Sequence, residues 1–177
     1  MMKLIFWNTK AKTVWEMMLF LAFIAPIISP IKNLFGIGLA GFYTYLIQLL
    51  ACLIILSYDL ALRKSRELVE LRQSLAKVYV KILQFNLLAA SLFYISQLVT
   101  CYLFGARIAG AAEFRLTIII LLAKFLILLL TMFLYAYNFT LPNGWPLLAA
   151  ATLLPLLYHY LIELGPLYGA LRAIGSL

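Results

Sequence analysis

Three ionisable residues lie where a membrane-spanning chain ordinarily has none. Lys124 is the ninth residue of the apolar run Leu116–Tyr137, and His159 and Glu163 fall inside the run Trp145–Leu164. An ionisable group at the bilayer centre costs roughly 2.5–3.5 kcal/mol on the insertion scale, so it points to a partner or a task. The spacing supplies the partner. Leu-Pro-Asn-Gly-Trp-Pro at 141–146 is dense in turn formers and marks a reversal near Pro142–Gly144. Counting about 19 residues back from Asn143 reaches Lys124, and a similar count forward reaches Leu161. Lys124, His159 and Glu163 are therefore expected at similar depth on adjacent antiparallel helices. Pro155, His159 and Glu163 stand at i, i+4 and i+8, one helical face. Pro155 also withholds a donor from the carbonyl of Ala151.

An ammonium, an imidazole and a carboxylate in one place suit a proton or ion relay, or a charged-ligand site. Two plainer readings stand beside that one. The first is a structural ion pair that fixes the last hairpin, with His159 neutral and hydrogen-bonded. The second is Glu163 snorkelling to the interface. Glu16 is simpler, because Lys12 stands one turn before it for a hydrated i,i+4 pair.

Other site chemistries lose their residues. The chain has one His and two Cys, Cys52 and Cys101, in separate apolar stretches. Zinc, haem and Cys/His nucleophile sites need clusters of these residues. No CxxC, HExxH or P-loop occurs, and no cofactor or metal is expected. Gly36, Gly38 and Gly41 form a formal GxGxxG with no strand–turn–helix unit around it. Gly36, Ala40 and Gly41 read instead as a small-residue face for helix packing. The Gly105–Ala112 cluster is expected to cap a helix end, and the sequon Asn138-Phe-Thr140 abuts a span on the side where it would go unused.

The elements that carry these residues follow from composition. Of 177 residues, 66% are hydrophobic and 11% charged, whereas soluble domains run at about 45–50% and 25%. A soluble domain and a disordered tail are both excluded. Five apolar stretches approach the ~20 residues that cross a bilayer. They run over 14–29, 36–58, 80–104, 116–137 and 145–164. The expected fold is one all-α, polytopic membrane domain, with four spans as the fallback if the first lies in the interface. Lys and Arg set the orientation. Nine of them lie before the first span or between the second and third, against Lys32, Arg107, Arg115 and Arg172 on the other side. The N-terminus is thus expected in the cytoplasm and the C-terminus outside, in a cell inner membrane. The net charge of +8 then reflects cytoplasmic loops rather than nucleic-acid binding.

The segment 59–81 holds nine of the twenty charged residues. Leu68, Leu71, Leu75, Val78 and Ile82 step by 3, 4, 3 and 4, a heptad a/d stripe. Arg63–Glu67 and Arg66–Glu70 have i,i+4 spacing, and no Gly or Pro occurs between Gly41 and Gly105. A cytoplasmic helical hairpin is expected, reversing near Tyr58–Arg66, with a third helix of nearly 40 residues, about 60 Å. Its basic residues suit anionic lipid headgroups. Its stripe, Leu68, Leu71, Leu75 and Val78, suits docking on a cytoplasmic partner or a sister subunit.

The leading functional expectation is a non-catalytic membrane subunit of a larger assembly, of the transport, secretion or respiratory kind. The alternative is a small oligomeric channel or carrier built on Lys124, His159 and Glu163. A lipid-modifying enzyme ranks last, since such chemistry needs several acidic or His groups near one interface.

Overall fold

The computed structural model describes residues 8–28, 42–64, 66–67, 74–106 and 111–167. The helices are α1 (Thr9–Ile28), α2 (Phe42–Arg63), α3 (Leu75–Leu103), α4 (Ala111–Asn138) and α5 (Trp145–Tyr158). The last runs on into a π-helical segment, His159–Leu167. Among the described residues, five helices are long and apolar enough to cross a membrane. The chain is an all-helical, multi-pass membrane protein.

Each helix begins or ends for a local reason. Asn8 caps α1: its Oδ1 accepts from the backbone N–H of Ala11 at 2.6 Å, a bond typically worth about 1 kcal/mol. The helix therefore starts ahead of the expected Val14. Its buried stripe is Ala11, Val14, Met18, Ala22 and Ala25, small residues at 3–4 spacing that let another helix come close. That helix is α3, lying alongside in the same direction. Trp15 meets Phe85 edge-on at 5.0 Å, and Phe23 meets Phe104 at 5.8 Å. Pro26 has no N–H, so the carbonyl of Ala22 loses its helical donor. The Thr100 hydroxyl donates to that carbonyl from α3 at 2.7 Å.

Gly105 ends α3. With φ +99° it takes the left-handed position that glycine occupies without a Cβ penalty. Ala106 N–H then reaches Cys101 O at 3.0 Å and Gly105 N–H reaches Tyr102 O at 3.1 Å. These two bonds make a complete Schellman cap, and buried Ala106 packs on Cys101. Within the cluster expected to cap a helix end, the capping residue is Gly105.

Helix α2 packs against each of the other four helices. Tyr45, Gln48, Cys52, Ile55 and Asp59 follow one another along it at steps of 3 and 4. Four of them are buried and Gln48 half-buried. This face is the spine of the core.

The hairpin differs from expectation in four ways. First, α3 starts at Leu75, because Ser74 is extended (φ −65°, ψ 137°). The helix is 29 residues long, about 44 Å rather than 60 Å; a stretch free of Gly and Pro need not be one helix. Second, Asp59 is not among solvated hairpin charges but sits inside the bundle, 6% exposed. Third, Arg63 does not pair with Glu67. Its guanidinium donates to Asn138 Oδ1 (3.0 Å), Leu141 O (3.1 Å) and Pro142 O (3.0 Å), across the α4–α5 turn. Arg66 donates to Leu141 O at 2.6 Å, while its expected partner Glu70 lies outside the described residues. Fourth, Val78 and Ile82 are buried against Ala136 and Phe139 of the α4 end, with Leu75 half-buried beside them. That part of the stripe is covered by the chain itself. Leu68 and Leu71 lie outside the described residues, as do Gly36, Ala40 and Gly41.

Candidate functional site

Lys124 is held by α4 and faces inward, while Pro155 lies one turn before the π-helical segment that carries His159 and Glu163. The sequence reading placed a lost helical bond at Pro155 without a change of register. The structure changes register instead, to wider i→i+5 turns that are often found at functional sites. Pro155 explains why the ordinary ladder is interrupted here.

The three side chains come together. Lys124 Nζ lies 3.2 Å from Glu163 Oε1, with 4% and 0% of the two side chains exposed. His159 Nδ1 lies 2.7 Å from Glu163 Oε2. An ionised carboxylate can only accept, so Nδ1 carries the hydrogen and donates. The imidazole is fixed on its other side by Tyr45, stacked at 4.8 Å between centroids and 10° between planes. One carboxylate is thus shared between an ammonium and an imidazole. The depth inferred by counting outward from Pro142–Gly144 places the pair correctly, because antiparallel helices advance equally from a shared turn. Glu163 is buried among these groups and does not snorkel.

A cavity adjoins the site, lined by Tyr45, Gln48, Cys52, Lys124, Tyr158 and Glu163 among others. The centre of a water molecule has about 20 Å³ in which to move there, room for about one water. Its walls offer polar atoms for that water: the Tyr45 and Tyr158 hydroxyls are buried with no hydrogen-bond partner. Gln48 reaches from the cavity wall to Gln97 Oε1 at 3.4 Å. Among the described residues, no three His, Cys, Asp or Glu side chains come together to hold a metal ion. Cys52 and Cys101 are free, buried and on different helices, so they serve as small apolar residues.

Sequence reasoning missed a second polar centre. Asn86 Nδ2 donates to Asp59 Oδ2 at 2.6 Å, fully inside the bundle. The signal was present in the spacing, since Asp59 continues the α2 face that carries Tyr45, Gln48 and Cys52. At the surface, Lys12 and Glu16 form the expected pair at 3.7 Å.

No family model matches this chain, and neither a curated protein nor a solved structure matches it.

Proposed function

We propose that this chain is a non-catalytic integral membrane subunit of a larger membrane assembly, of the transport, secretion or respiratory kind. The observation that carries the reading is the closed ionic core. Ammonium, carboxylate and imidazole compensate one another, and the cavity beside them takes about one water. Such a core suits holding helices in register. The outward surface agrees with it. Only 22 to 44% of the residues along the five candidate spans are buried within the chain, so each leaves most of its surface to lipid or to a neighbouring subunit. A docking role for the α2–α3 connection then rests on Leu68 and Leu71. The excess of Lys and Arg there supports an inner-membrane chain with its N-terminus in the cytoplasm and its C-terminus outside.

The second reading is a small oligomeric channel or carrier working through Lys124, His159 and Glu163. The π-helical register and the water-sized cavity at those residues favour it. Purification from native membranes in mild detergent decides between the two. Other proteins in fixed ratio to this chain support the subunit. A pure homo-oligomer that moves ions in liposomes, and stops when Lys124→Met is introduced, supports the channel and overturns the subunit.

A further inference from the structure

Asp59 has no role in the reading above, and its surroundings are unusual for a carboxylate. It lies on α2, one turn before Arg63 and the end of the helix. It is 6% exposed and its partner Asn86 is 0% exposed. The pair makes one hydrogen bond, Asn86 Nδ2 to Asp59 Oδ2. The second carboxylate oxygen, Asp59 Oδ1, and the amide oxygen, Asn86 Oδ1, are buried with no hydrogen-bond partner. Both are acceptors, so neither can satisfy the other.

Among the described residues, no cation compensates the acid. Arg63 is the basic residue at i,i+4, and its guanidinium is turned to the α4–α5 turn. The other ionisable groups near Asp59 are Tyr58 beside it and Tyr135 on α4. Neither brings a positive charge, and the Tyr135 hydroxyl is on Thr152 at 3.2 Å. From α1 comes Asn8, whose amide reaches the Tyr58 hydroxyl at 3.4 Å. On α5 the first ionisable residue is Tyr158, which lines the cavity. That cavity has neither Asp59 nor Asn86 in its wall.

We propose that Asp59 and Asn86 form a proton-binding site, in which Asp59 is a neutral carboxylic acid paired with the Asn86 amide. A proton on Asp59 Oδ1 turns one orphaned acceptor into a donor and gives the other, Asn86 Oδ1, a donor to accept from. Acid and amide then close a cyclic pair, with N–H donating one way and O–H the other. A bare carboxylate buried without a cation is the alternative that desolvation opposes most strongly. The site is separate from the Lys124–Glu163 pair and stands whether the chain is a subunit or a carrier.

Asp59 is the only aspartate in the sequence, so one label reads the site without any substitution. The full chain, made by cell-free synthesis with 13C at the aspartate side-chain carboxyl, is reconstituted into lipid bilayers for solid-state NMR. The single resonance is expected at the protonated-acid position at pH 7, the same in sodium or potassium, and any transition to the carboxylate position on raising the pH is expected to be single. A resonance at the carboxylate position at pH 7 without sodium overturns the proposal. A position that follows sodium concentration at fixed pH also overturns it and makes the pair a cation site.

Discussion

Glu163 and Asp59 are both carboxylates inside one helical bundle and are about equally hidden. The groups around them differ in kind. Glu163 is met by Lys124 at 3.2 Å and His159 at 2.7 Å. Asp59 lies one turn from the end of α2 and is met by an amide alone. The partners account for the contrast. A fixed ammonium balances the charge of Glu163, whereas with the Asn86 amide beside it Asp59 has a proton as its balancing partner in the proposal above. Two carboxylates of similar burial can thus have opposite tolerance to loss of charge.

The largest expected effect comes from Lys124→Met. It leaves Glu163 buried without its cation, which typically costs about 3–5 kcal/mol. Adding Glu163→Gln removes the stranded charge and should recover most of that loss in unfolding measured in detergent. If the single and double variants unfold alike, charge compensation is not what holds α4 to the π segment. Next is Gly144→Ala. A Cβ at Gly144 would overlap the Asn138 side-chain amide and press on Arg63, breaking a charge-assisted contact worth about 1.5–3 kcal/mol. Arg63 keeps its bonds to Leu141 O and Pro142 O, so the labelled aspartate signal should stay where it is in the parent chain. Asn86→Leu is expected to cost about 1–2 kcal/mol by removing the acid's partner. Asp59→Asn is the smallest, under about 1 kcal/mol, since an amide replaces a neutral acid of the same shape. A loss there as large as that of Lys124→Met would erase the contrast between the two carboxylates.

The Lys124–Glu163 site was legible in the sequence, and the Asp59–Asn86 site was not. Lys124 interrupts an otherwise apolar run, and a turn rich in Pro and Gly gave a fixed point from which to count depth. Asp59 stands next to Arg63 and Lys64, where an apolar run ends. Hydropathy there registers a charge but not the rotation that points it inward. The periodic face Tyr45–Gln48–Cys52–Ile55–Asp59 carried that rotation. The π register after Pro155 was illegible for another reason. A proline shows that a helical bond is missing, but which register replaces it is decided by packing around His159 and Glu163. The start of α3 was misjudged similarly, since Ser74 breaks the helix without being a strong breaker.

The α4–α5 turn, Phe139–Gly144, contains no Lys or Arg. Counted alone, it gives the machinery that orients membrane proteins nothing to read. Yet Arg63 and Arg66 reach its carbonyls at Leu141 and Pro142 from residues more than seventy positions upstream. The positive charge beside this loop is therefore supplied by an earlier part of the chain. Keeping the last hairpin next to a cation becomes a tertiary property, secured when its turn docks on those arginines.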